Sequence, residues 1–152
     1  MIIRETYTQN VINKSNLPVC DYALNPYVGC AHGCKYCYAC FMKRFTGHDE
    51  PWGEFLDVKT WKPISEPCRY AGKEIFVGSV TDPYQPQEEI YCRTRAALEQ
   101  LRGSGAKLSI ATKSDLVLRD LELIKSFPDA RVPGRSTRLT KNSAQIWTTP
   151  FP

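Results

Sequence analysis

The chemistry of this sequence is concentrated in Cys30-Ala31-His32-Gly33-Cys34-Lys35-Tyr36-Cys37, where three thiols recur with the spacing C-x3-C-x2-C. Gly29 and Gly33 let the segment turn tightly, so the three thiolates can face one centre. On a cluster of four irons, three thiolates leave one iron with a vacant position at which a cofactor or substrate can bind; a fourth cysteine would suit electron transfer instead. The chain has seven cysteines, an odd number, and four of them fall between Cys30 and Cys40. Such short gaps favour a shared metal over disulfides and place the chain in a reducing compartment. A zinc site is the competing reading, because Cys37 and Cys40 form a pair spaced by two residues, but no second separated pair accompanies it. Cys40, one helical turn beyond Cys37, is read as a small buried hydrophobe. Cys20, Cys68 and Cys92 are isolated and read as structural.

The elements that must position these thiols alternate. The lead-in, residues 1–19, is polar and extended. Tyr22 to Val28 forms a short strand with Pro26 at an edge, and Gly29 to Cys40 is a loop. Phe55 to Lys59 makes one short strand in an irregular stretch broken by Pro51, Pro63 and Pro67. Glu74 to Val80 is an apolar run of buried-strand type, ended by the turn Asp82-Pro83-Tyr84-Gln85-Pro86. Ile90, Thr94, Ala97, Leu98 and Leu101 share one face of a helix that stops at Gly103. Lys107 to Thr112 is the next strand, Ser114 caps, and Val117, Leu118, Leu121, Ile124 and Phe127 make a second amphipathic helix. Strand-then-helix alternation predicts an α/β fold with parallel strands and function at their C-terminal ends. The loops after Val28, Val80 and Thr112 then converge on one edge.

The cysteine motif, with an aromatic residue just before its third cysteine, resembles that of radical S-adenosylmethionine enzymes. Asn25-Pro26-Tyr27-Val28-Gly29-Cys30 through Tyr38-Ala39, together with Phe41 to His48, Gly78 to Pro86 and Thr112 to Asp120, is similar to the branch related to spore photoproduct lyase. The resemblance implies a 4Fe-4S cluster on Cys30, Cys34 and Cys37. Its open iron would chelate S-adenosylmethionine, which the reduced cluster cleaves to methionine and a 5′-deoxyadenosyl radical. It implies that Tyr36 and the backbone around Tyr38 lie against the adenine, that Ser79, with Thr81 or Asp82, accepts a bond from the methionyl ammonium, and that Lys113 pairs with the carboxylate. Asp82 has a second reading, that it shapes its turn. An electron donor such as flavodoxin or ferredoxin is the implied partner.

The implied fold is the N-terminal part of a partial (β/α)6 barrel, with about three strand-helix units in residues 20–132 and an atypical, poorly ordered tail over 133–152. The chain therefore reads as C-terminally truncated. The cysteine near the end of spore photoproduct lyases has no counterpart, so DNA repair is not carried over. Two other functions use the same thiols: a redox module without turnover and a zinc-binding interaction domain.

Composition excludes more than it selects. At 152 residues, 42% hydrophobic and 24% charged, the chain builds one domain. No apolar run approaches the roughly 20 residues of a membrane span, so it reads as cytoplasmic. A net charge of +4 from 20 basic and 16 acidic residues is compatible with nucleic acid without requiring it. Lys43-Arg44 among Phe41, Met42 and Phe45 reads as an amphipathic helix with a solvated face rather than a nucleic-acid footprint. Trp52 and Trp61 read as packing residues, His32 as solvent-facing, and His48 as a residue without a visible partner.

Overall fold

The structure, a computed structural model, describes residues 1–132 and the backbone of 137–139. Apart from that backbone, the tail read as poorly ordered lies outside the described residues. Two mixed sheets make up the framework. In the smaller, β1 (Ile2–Tyr7) pairs in parallel with β5 (Phe55–Thr60), and β4 (Tyr27–Val28) pairs antiparallel with β5's other edge. The larger sheet runs β2 (Ile12–Lys14), β3 (Tyr22–Leu24), β6 (Glu74–Val77), β7 (Lys107–Ile110), β8 (Ala130–Val132) and β9 (Thr137–Leu139).

The core follows from alternation. Ile75 and Val77, Leu108 and Ile110, and Ala130 face inward from adjacent parallel strands, and the buried Ala97, Leu98 and Leu101 of one helix belong to the same core. Each such large apolar side chain removed from water contributes about 1.5–3 kcal/mol. Tyr27, Leu56 and Val58 form a second, smaller cluster between β4 and β5.

The partial (β/α)6 barrel of parallel strands is corrected by this topology. The strands divide between two sheets, and three pairings, β2 with β3, β4 with β5 and β8 with β9, are antiparallel. No α-helix lies between β3 and β6; short 3-10 helices at Tyr38–Phe45 and Pro67–Tyr70 stand there with β5. The physical cause starts at Pro26. The expected strand from Tyr22 to Val28 breaks at Asn25-Pro26, where proline offers no ladder donor, and its halves join different sheets. The lead-in is not only extended chain: it supplies β1 and β2.

The expected helix from Ile90 is also broken. α1 (Glu88–Tyr91) and α2 (Arg93–Leu101) are separated by Cys92 in the left-handed region at φ 49°. The break turns Ile90 out to 78% exposure while Thr94, Ala97, Leu98 and Leu101 stay buried. The Glu88 carboxylate supplies the missing cap of α2, accepting from the Thr94 and Arg95 backbone N–H groups at 3.0 Å each. Beyond β7, Ser114 Oγ accepts from Leu116 N–H at 3.2 Å and starts a 3-10 helix, Asp115–Asp120, that continues into α3 (Leu121–Lys125). Among the described residues no helix is long and apolar enough to cross a membrane.

Candidate functional site

Three loops meet where the two sheets adjoin. They follow β4, β6 and β7, and between them line a cavity of about 410 Å³. Its walls include Cys30, Cys34 and Cys37 with Tyr36 and Tyr38 from the first loop and the helical turn after it, Ser79, Thr81 and Asp82 from the second, and Lys113 from the third. All nine residues singled out by motif therefore share one cavity, which Phe76, Val80 and Ala111 also line. β6 and β7 end at Val77 and Ile110, before Val80 and Thr112. Gly78 sets the first of these limits: at φ +88° its missing Cβ would lie 2.4 Å from Pro83 Cδ, so the chain folds back on Pro83 only with glycine there.

Hydrogen bonds across 41 to 55 residues of sequence weld the first two loops together. Thr81 Oγ1 donates to the Gly29 carbonyl at 2.6 Å, and the Ala31 N–H donates to Gln85 Oε1 at 2.9 Å. Gln85, with no exposed surface, also donates through Nε2 to Thr81 Oγ1 and the Asp82 carbonyl, both at 3.1 Å. Asn25, at the break between β3 and β4, donates to Ser79 Oγ at 2.8 Å and accepts from Val80 N–H at 3.2 Å. Tyr38 Oη donates to the Ser79 carbonyl.

Asp82 ties in the third loop. Its Oδ1 accepts from Tyr84 N–H at 2.9 Å and Thr112 Oγ1 at 2.6 Å, and its Oδ2 from Lys113 N–H at 2.9 Å. His32 Nε2 approaches Oδ2 to 3.0 Å, an ion-pair distance outside the angle of a directed hydrogen bond. Burial works to raise the Asp82 carboxyl, but His32, the Lys113 amide, Thr112 and Tyr84 outweigh it and hold the group below its ordinary value. With both oxygens engaged by the chain's own donors, Asp82 shapes the site from within its wall. His32, read as solvent-facing, is turned inward to it.

The rim is electrostatically different. Lys113 Nζ lies 3.1 Å from Cys34 Sγ, bonds Tyr36 Oη at 2.5 Å, and sits 4.4 Å from the Tyr36 ring centroid. The bonds to Tyr36 first, then Cys34, raise the lysine above its ordinary value. Lys113 thus sets a positive charge beside the Cys34 sulfur. Cys30 is only 8% exposed, and burial pushes its thiol up; Tyr38 is raised first by burial as well. Tyr36 is 81% exposed.

Cys40 does not pack as a buried hydrophobe. It is exposed, lines a different cavity with Phe41, Lys43 and Arg44, and leaves the buried position in its helical turn to Ala39. Cys68 is exposed too, whereas Cys20 is buried. Phe41 and Phe45 flank the Arg44 guanidinium at 5.6 and 5.2 Å rather than packing inward. Trp52 packs edge-on against Phe55, and Trp61 donates to Gln100 Oε1 at 3.2 Å. His48 has partners on both ring nitrogens: Glu50 Oε2 at 3.0 Å and Asp57 Oδ1 at 2.8 Å. Sequence reasoning also missed Gln85, Asn25 and a buried set behind the third loop, in which Arg119 bridges Glu88 and Asp120. Gln85 does lie in the turn motif and Arg119 in the segment after Lys113, but composition alone carries no signal that they bond across the fold.

All seven cysteines are free. Among the described residues no three His, Cys, Asp or Glu side chains converge closely enough to hold one metal ion. Cys30, Cys34 and Cys37 lie on the wall of one cavity, and on a cluster each would take a separate iron.

Comparison with known proteins adds relatives but no assigned activity. No family model matches the chain, and no solved structure matches it. It is similar to an uncharacterized protein of Methanocaldococcus jannaschii, 40% identical over 121 residues that make up 80% of this chain and 46% of that one. An uncharacterized protein of Acidianus two-tailed virus is 34% identical, covering 71% of this chain and 39% of its own length. An uncharacterized protein of Mycobacterium tuberculosis is 31% identical, covering 81% and 38%. The chain thus spans less than half the length of these curated relatives.

Proposed function

We propose that this chain carries the cluster and cofactor site of a radical S-adenosylmethionine protein similar to the spore photoproduct lyase branch. The observation that carries the reading is the shared cavity of about 410 Å³: Cys30, Cys34 and Cys37 line it with Tyr36, Tyr38, Ser79 and Lys113, while Cys40 lies outside. Three thiolates without a fourth leave one iron for the cofactor, and the volume falls within the roughly 300–1,000 Å³ of small-molecule sites. When bound, the reduced 4Fe-4S cluster supplies the electron that cleaves S-adenosylmethionine.

The chain's own residues do the rest. Cys30, Cys34 and Cys37 would hold the irons, Lys113 would pair its ammonium with the cofactor carboxylate, and Ser79 would accept from the methionyl ammonium. Exposed Tyr36, with the backbone around Tyr38, would lie against the adenine. Thr81 and Asp82 act by fixing the loops. Free thiols throughout suit a reducing, cytoplasmic setting, with flavodoxin or ferredoxin as electron donor.

Anaerobic reconstitution with iron and sulfide, followed by electron paramagnetic resonance with and without S-adenosylmethionine, tests the proposal. A reduced-cluster spectrum that changes on adding the cofactor, with 5′-deoxyadenosine formed, supports it. A cluster spectrum indifferent to the cofactor reduces the chain to a redox module, and stoichiometric zinc without iron after anaerobic purification ends the cluster reading.

A further inference from the structure

The cysteine loop rests on a segment that no motif marks. Gly29, at φ +93°, comes so close to β5 that a Cβ there would lie 2.5 Å from the Phe55 carbonyl oxygen. Four residues later, Gly33 meets Gly53. A Cβ on Gly53 would lie 2.8 Å from Gly33 Cα and 3.9 Å from the Cys30 carbonyl oxygen, and Gly53 itself sits at φ +100°. This is backbone against backbone, with no rotamer able to yield.

What holds Gly53 in place is the loop from Gly47 to Glu54. His48 is enclosed there, its side chain without exposed surface, between Glu50 on its own loop and Asp57 in β5. Its ring stacks on Phe55 at 4.1 Å and 17°. Phe55 is thereby gripped through its ring by His48, while its carbonyl receives Gly29. A fully enclosed imidazole has no access to a substrate in the cavity, so its work is structural. The Pro51 carbonyl accepts from Glu54 N–H at 3.0 Å and closes the turn that presents Gly53.

We infer that Gly53 is a positioning residue for the three cysteines, held against Gly33 by the Glu50–His48–Asp57 bracket. Its consequence for iron rests on the cluster reading above; its effect on the loop does not. The test is site-resolved alkylation of the metal-free chain by iodoacetamide under anaerobic, reducing conditions, with iron and sulfide loading measured in parallel.

Gly53→Ala is expected to speed alkylation of the buried Cys30 about tenfold or more by favouring local opening, to leave the distant, exposed Cys68 unchanged, and to lower iron loading. Gly72→Ala is the control: Gly72 has φ +72° but nothing within 4 Å of a Cβ, so it carries the backbone strain without the contact. It is expected to behave as wild type. Equal Cys30 reactivity in wild type and Gly53→Ala, or an equal rise in Gly72→Ala, overturns the inference. If circular dichroism shows that Gly53→Ala does not fold, His48→Asn decides, since it loosens the same bracket: faster Cys30 alkylation supports the inference and unchanged protection overturns it. Failure of the wild-type chain to load iron removes the cluster reading, and the alkylation comparison still decides the role of Gly53.

Discussion

Arg119 and Lys113 lie six residues apart, and each places a cation beside the site, but on opposite terms. Arg119 grips two carboxylates with no exposed side-chain surface: Nη2 donates to Glu88 Oε1 and Asp120 Oδ2 at 3.0 Å, and Nε to Asp120 Oδ1 at 3.0 Å. Arg95 and Tyr84 add donors to Asp120 at 2.9 and 3.1 Å, and Tyr27 donates to Glu88. Lys113 reaches one thiol and one phenol in open solvent. The buried set costs much to break because its anions have no water to turn to. The rim pair costs little because water replaces either partner. Stability is thus concentrated behind the loops, and the contacts at the rim are weak.

The contrast is broken most severely at Arg119. Arg119→Leu leaves Glu88 and Asp120 buried without their shared cation, and a loss of about 3–5 kcal/mol in urea unfolding is expected. A loss below about 1 kcal/mol would show the network to be solvated. Asp82→Asn comes next, at about 2–3 kcal/mol, since the amide must point a donor at the donors Asp82 now accepts from.

The same substitution has a pH signature. Asp82 is held below its ordinary value, so its stabilisation is fully present above the unfolded value near 3.9 and is lost as pH falls through the lower folded value. Wild-type stability should therefore fall on the acid side more steeply than that of Asp82→Asn, as measured by thermal unfolding across pH. Parallel acid limbs would exclude a depressed Asp82.

Smaller effects sharpen the comparison from the rim side. Gln85→Leu strips Ala31 N–H and Thr81 of a partner inside the wall and should cost about 1–3 kcal/mol by chemical denaturation. Lys113→Met should change stability by no more than about 0.5 kcal/mol. A large stability loss in Lys113→Met would place that pair with the buried set.

The loops of the candidate site were readable in the chain because their signals are local. Cys30, Cys34 and Cys37 recur within one loop, the Asp82-Pro83-Tyr84-Gln85-Pro86 turn announces itself by composition, and β5, β6 and β7 follow apolar runs within a few residues of their expected ends. Side-chain roles inside the loops were harder to read. His32 turns inward to within 3.0 Å of Asp82, and Cys40 is exposed while Ala39 takes the buried position, because which face of a short 3-10 helix turns inward depends on what stands opposite.

The sequence by itself therefore marked the cysteine spacing and the loops that carry the candidate site, since such spacing and turn composition need only neighbours. Tertiary structure alone decided that β3 and β4 part company at Pro26, that Gly53 supports Gly33, that His48 joins Glu50 to Asp57, and that Arg119 finds Glu88. Those arrangements depend on which surfaces exclude water together, and contacts of that kind leave no period in the chain from which to read them.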